Sequence, residues 1–335
     1  MFRLRLRHCM PVALVTLMTL LSACSGTQPA APSAQPSAST APPAAPAAKE
    51  EAATRLYKDT LGREVSIPTH PKRVMTTQYL PQMLAAGIRP IGASTHLLKN
   101  FASVRDKIQG IEDIGASNNP NLEKMLELKP DLIIVPEGKL EDIEKLNKIA
   151  PTVAVKWEGS EPFKQLRDVA EVLGQKEQAE QWIQEYNKKG EEARQKLASF
   201  VKPGETFGAV VIGGFKKGQL RVYGNGNVGY TLFETLKFPM TDVVKKEWDK
   251  GGNELGMNIS LEKLPEFASA DRLFVVRFDN DPEFLKEVES SRLWNNLPAV
   301  KNNKVYVVAA DLWFTYDVLS FDAQLSDAIQ LLSKP

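Results

Sequence analysis

The chain has 335 residues, with 42 Lys plus Arg against 41 Asp plus Glu and a formal charge of +1. That length corresponds to about two domains with ample core, and the balanced charge lacks the clustered basic excess of a nucleic-acid binder. The only cysteines are Cys9 and Cys24 and the only histidines His8, His70 and His96, which excludes a disulfide framework, a thiolate metal site and a three-imidazole centre beyond the leader.

The first 24 residues contain Arg3, Arg5 and Arg7 and no acid. Met10 to Leu21 is an apolar run, too short to span a bilayer and suited to a signal h-region. Leu21-Ser22-Ala23-Cys24 follows directly and resembles the lipobox of bacterial lipoproteins. The resemblance implies a signal peptide over 1–23 and lipidation at Cys24. Residues 24–53 are rich in Ala, Pro and Ser, with six prolines. Such a stretch cannot bury a core and is expected to be a disordered tether. The folded part is then held by a lipid anchor on the extracytoplasmic face of the cell membrane.

From Arg55 onward, apolar runs alternate with amphipathic ones. Arg73–Met75, Pro90–Ala93, Asp131–Val135 and Thr152–Val155 are expected strands, and Leu140–Ile149 an expected helix. This rhythm predicts an α/β lobe over 54–160. Residues 161–202 hold no Pro after Pro162 and break at Gly174, so they predict connecting helices. The longer one, Lys176–Phe200, would be a strut about 37 Å long. Phe207–Ile212, Asp271–Val276 and Val305–Ala309 open a second α/β series over 203–335, closing on a helix at Asp322–Leu332.

The two series echo each other. Leu122-Glu123-Lys124-Met125-Leu126-Glu127 runs into Asp131-Leu132-Ile133, and Leu261-Glu262-Lys263-Leu264-Pro265-Glu266 into Asp271-Arg272-Leu273. Asn121 and Ser260 stand two residues before Glu123 and Glu262 and are good N-caps. Two matching exposed carboxylates can grip a symmetric partner through two arginine sites.

With the lipobox and tether, Pro120-Asn121-Leu122-Glu123, Lys129-Pro130-Asp131-Leu132-Ile133, the strut, Ser260-Leu261-Glu262 and Trp294–Lys301 before Val305-Tyr306, the chain resembles the siderophore- and vitamin B12-type substrate-binding proteins of bacterial ABC importers. The resemblance covers 55–333. It implies two Rossmann-like α/β lobes joined by one long rigid helix, and a monomer that captures ligand between the lobes. It implies no catalysis. Glu123 and Glu262 would dock on an ABC permease coupled to a cytoplasmic ATPase. Lys139 and Trp313 would face the ligand; Ser117-Asn118-Asn119 stands where hydroxamate-binding members can carry an Arg.

The ends of the expected strands add Gln78, Tyr79, His96, Lys99, Arg221, Tyr230 and Arg277 as ligand-binding candidates. Lys139, Arg221 and Arg277 with aromatic walls would suit a trianionic ferric catecholate, favoured here over a hydroxamate. The iron would be held by the siderophore alone, with no protein ligands or cofactor. Cobalamin or haem is the alternative cargo, with Tyr79, Tyr230 or His96 as axial candidates for haem. Gly224-Asn225-Gly226-Asn227-Val228-Gly229 matches a dinucleotide fingerprint. An exported dinucleotide-dependent enzyme is the distant alternative, disfavoured because Gln219–Tyr223 looks like a hairpin arm.

Overall fold

A computed structural model describes residues 53–214, 218–251 and 256–334. The leader, Cys24 and the tether lie outside the described residues.

An antiparallel hairpin, β1 (Thr54–Lys58) and β2 (Glu64–Pro68), opens the fold. The first sheet follows, from β3 (Val74–Thr76), β4 (Gly92–Ala93) and β5 (Glu112–Asp113). A small hairpin, β6 (Gly115–Ala116) and β7 (Asn119–Pro120), interrupts it before β8 (Leu132–Pro136) and β9 (Thr152–Val155) complete it. The order is β5-β4-β3-β8-β9, all parallel. β8 and β9 are apolar and buried almost throughout, as strands covered on both faces must be.

The second sheet is mixed. β10 (Phe207–Ile212), β11 (Leu220–Tyr223), β12 (Met257–Ile259), β13 (Arg272–Arg277) and β14 (Val305–Val308) lie in the order β12-β11-β10-β13-β14. β10, β13 and β14 are parallel, whereas β11 and β12 run antiparallel. β11 is thus a hairpin arm, as its sequence suggested.

The echo has a structural cause. β8 lies between β3 and β9 just as β13 lies between β10 and β14. Asp131 accepts the backbone N–H groups of Lys72 (2.7 Å) and Arg73 (3.0 Å), at the entrance to β3. Asp271 accepts the N–H of Thr206 (2.8 Å) and its hydroxyl (2.9 Å), at the entrance to β10. Each aspartate starts an interior strand and ties down the start of the central strand beside it, satisfying donors that lie outside the ladder.

The connecting helix spans Lys176–Leu197, 22 residues, or about 33 Å. It is shorter than expected because the chain turns at Ala198–Phe200. Its buried side chains, Ala179, Ile183, Tyr186, Gly190, Ala193 and Leu197, recur at spacings of three and four and form one stripe. Ala179 and Ile183 pack with Ala85 and Ala86 of the first lobe and with Leu166 and Ala170 of the connecting helix Pro162–Leu173, whereas Tyr186, Ala193 and Leu197 join the second lobe's core. Gly190 permits close contact, since a Cβ there would lie 3.0 Å from the Thr235 methyl.

The helix is not the sole link between the lobes. The last helix, Val318–Leu332, starts four residues before its expected position because Asp317 caps it, accepting from the Ser320 N–H (2.9 Å) and hydroxyl (2.6 Å). Val318 packs on Ala85 and Ala86, Ser320 Oγ lies 2.9 Å from Ser103 Oγ, and Arg105 pairs with Asp311.

Asp271→Ala should lower stability by about 1–3 kcal/mol, since it orphans the Thr206 donors; a urea denaturation curve reads it. Burial pushes the Asp317 carboxyl up to about 6 from 3.8, against the opposing Ser320 hydrogen bonds. The unfolded chain releases this proton at lower pH than the folded one, so Asp317 makes folding less favourable as pH rises from about 4 to about 6. Asp317→Asn should remove that segment of the pH–stability curve, of the order of 1–3 kcal/mol.

Candidate functional site

A cavity of about 490 Å³ opens at the carboxyl ends of the first sheet's strands, where open α/β sheets bind ligands. Thr77 and Gln78 follow β3, Ser117 and Asn118 form the β6–β7 turn beside Asn119 of β7, and Glu137–Lys139 follow β8, whose last residue Pro136 also lines the cavity. Leu122, Ile143 and Leu146 supply apolar wall. Of the charged lining groups, Glu137 is committed to the Trp157 and Glu158 N–H groups, and Lys145 pairs with Asp142 at 2.8 Å. The Lys145 hydrogen bond holds the Asp142 carboxyl below its usual range. Lys139 makes no ion pair among the described residues; its carbonyl accepts from Asp142 and Ile143 at the start of the helix Leu140–Asn147. The lining is therefore rich in amides and hydroxyls, with one cation outside an ion pair.

Of the predicted ligand-binding residues, Gln78 and Lys139 share this cavity. His96 and Lys99 sit on the short helix Thr95–Lys99, outside the cavity lining. Partial burial lowers the His96 pKa, and its ring lies against Phe101 at 6.2 Å. Lys99 is exposed.

Five predicted residues are engaged in the fold. Tyr79 is fully buried and donates to the Val155 carbonyl at 2.8 Å; burial raises its pKa. Trp313 is also fully buried, with its indole N–H on Asp327 Oδ2 at 2.7 Å. Tyr230 stacks on Phe321 at 4.1 Å, its hydroxyl donating to Glu161 at 3.3 Å. These three rings pack the core, so neither tyrosine offers a hydroxyl to a haem iron. Arg277 pairs with Glu289 at 2.5 Å, an acid twelve residues away that spacing did not reveal. Arg221 donates to Asn258 Oδ1 at 2.7 Å across β11 and β12. The expected trio of available cations reduces to Lys139.

The aromatic groups at the second sheet's carboxyl ends are Phe278 and Phe314, partly exposed and 5.1 Å apart, with Tyr223 at 6.4 Å from Phe314. Phe278 directly follows β13, a strand-end position where only Arg277 was singled out. Alternation along the strand end separates the two: one residue turns towards Glu289 and the next towards Phe314.

The glycine loop has a packing role. A Cβ at Gly229 would meet the Gly224 carbonyl at 1.9 Å, and one at Gly224 would enter the Trp248 ring. The loop follows an antiparallel arm and enters a five-residue π-helical turn, Thr231–Thr235, rather than the long helix of a βαβ unit.

Glu123 and Glu262 are both exposed, each in the segment that leads into the strand beside its sheet's central one, β8 or β13. Asn121 caps the first helix through the Lys124 N–H at 3.0 Å. Ser260 does not cap; Leu261–Lys263 is a 3₁₀ turn, and the Ser260 hydroxyl bonds the Glu262 carboxyl and lowers its pKa.

The chain is 35% identical over 288 residues to the iron(3+)-hydroxamate-binding protein FhuD of Bacillus subtilis, covering 84% of this chain and 88% of that one. It is 30% identical over 326 residues to the iron(3+)-hydroxamate-binding protein YxeB of the same organism, covering 96% and 95%. A crystal structure of the periplasmic binding protein component of a Fep/Fec-like ferrichrome ABC transporter from Bacillus subtilis superposes with a TM-score of 0.73 at 32% identity, over 83% of this chain and all of that one. A family model described as periplasmic binding protein matches residues 82–312. With paired α/β sheets, a linking helix and a strand-end cavity, this chain belongs to the periplasmic binding protein family and is a binding protein, not an enzyme.

Proposed function

We propose that the chain captures a ferric hydroxamate siderophore and delivers it to an ABC permease driven by a cytoplasmic ATPase. The observation that carries this reading is the cavity's charge. Three hydroxamates neutralise ferric iron, whereas three catecholates leave a trianion. An amide-rich lining with Lys139 as its one cation outside an ion pair suits the neutral complex. A desolvated trianion would need several paired cations, and Arg277 is committed to Glu289. The relatives named for iron(3+) hydroxamate support the same choice. The catecholate preference drawn from sequence is therefore abandoned.

In this reading iron reaches the protein only through the siderophore. Gln78, Ser117, Asn118 and Asn119 donate to or accept from the chelate's oxygens and amides, and Leu122 and Ile143 cover its carbon skeleton. Phe278 and Phe314 are the aromatic candidates on the second lobe. Cys24 carries a lipid anchor that keeps a monomeric receptor beside its permease outside the cell membrane. No described helix is long and apolar enough to cross a membrane. Glu123 and Glu262 dock on permease arginines.

Tryptophan-fluorescence titration with ferric hydroxamates, ferric catecholates, haem and cobalamin should give the tightest binding for a hydroxamate. Asn119→Ala should weaken it about tenfold, the loss of one buried hydrogen bond, and Lys139→Ala much less. Tighter catecholate binding that collapses in Lys139→Ala would overturn the reading. Separately, Glu123→Ala with Glu262→Ala should abolish cellular uptake of the iron chelate while leaving the titration unchanged; lost affinity in that double variant would place these glutamates in the ligand site instead.

A further inference from the structure

The segments Leu122–Glu127 and Leu261–Glu266 match beyond their glutamates. In each, the residue two after the glutamate, Met125 or Leu264, is fully buried. That anchor turns its neighbours outward. Glu123 and Leu126 are three apart, as are Glu262 and Pro265, and residues at this spacing share a helical face. All four are exposed, Leu126 at 61%. The intervening lysines are withdrawn from that face: Lys124 pairs with Glu112 at 2.9 Å, and Lys263 with Glu266 at 2.7 Å. Both ion pairs stay within one lobe, and neither engages Glu123 or Glu262. Among the described residues, each lobe therefore presents a carboxylate outside any ion pair beside an exposed apolar group, at equivalent places in two sheets of like order.

We infer that each docking corner is bipartite, with Glu123 and Leu126 on one lobe and Glu262 and Pro265 on the other, received by two like sockets of the permease that each set a cation beside an apolar surface. This rests on the transport reading above. Charge complementarity selects the cation: a lone exposed carboxylate gains little from water-facing pairing. An apolar contact at the next turn excludes water from that pair and strengthens it. Leu122, 40% exposed and part of the cavity wall, lies directly before Glu123, so the first corner adjoins the ligand cavity.

The test replaces Leu126→Asn together with Pro265→Asn in the full chain, in cells lacking the native copy, with uptake of radiolabelled iron as ferrioxamine B as the readout. Both positions are exposed, and an unchanged melting temperature verifies folding. Uptake at limiting receptor should fall about tenfold, the equivalent of 1.4 kcal/mol. The fluorescence affinity for ferrioxamine B should stay at the parent value. The defect should persist at raised ionic strength, unlike that of Glu123→Gln with Glu262→Gln, which salt mimics. Parental uptake by the Asn pair, with the glutamine pair still defective, overturns the apolar half alone. Parental uptake by both pairs removes the docking surface altogether. A parent chain that binds no ferric chelate removes the transport reading and this surface with it.

Discussion

One stripe of side chains holds the molecule together. Ala179, Ile183, Tyr186, Gly190, Ala193 and Leu197 lie along a single face of one helix and serve two hydrophobic cores. A helix in this position cannot bend without opening one of them, because interiors at crystal-like density do not deform continuously. The lobes are further tied by Val318 against Ala85 and Ala86 and by the buried contact between Ser103 and Ser320. The two lobes are thus joined by packed side chains as well as by the chain itself.

Within that frame the two halves repeat one local device. An aspartate opens an interior strand and receives the backbone N–H groups that begin the central strand beside it. A short helical segment precedes it, fixed by one buried residue and carrying an exposed glutamate. Because the same device is built twice, the molecule displays two matched acidic corners. The halves diverge elsewhere: the first sheet is wholly parallel, whereas antiparallel β11 and β12 extend the second.

The charge of the cavity follows from pairing rather than from composition. Lys145 and Asp142 neutralise each other, and Glu137 is held by backbone donors. What remains is a lining of amides and hydroxyls together with Lys139. Such a surface recognises through direction of hydrogen bonds, and it imposes a small desolvation cost on a neutral guest.

Much of this was legible from the chain alone. Runs such as Leu132–Val135 and Phe207–Ile212 announce buried strands, and the repeated Leu-Glu-Lys before an Asp-led strand announces two related lobes, because backbone geometry and periodicity are local properties. Gln78, named from its place at a strand end, and Lys139, named from the family resemblance, both line the cavity. The failures have one cause. Whether Tyr79, Trp313 or Tyr230 faces a guest or a core, and whether Arg277 is available or paired, depends on residues far off in sequence: Val155, Asp327, Glu161 and Glu289. Sequence by itself determined the elements, their repetition and the positions of the exposed glutamates. Only the tertiary structure decided which aromatic and charged groups remain for a ligand, since burial and ion pairing are settled by the partners that folding brings together.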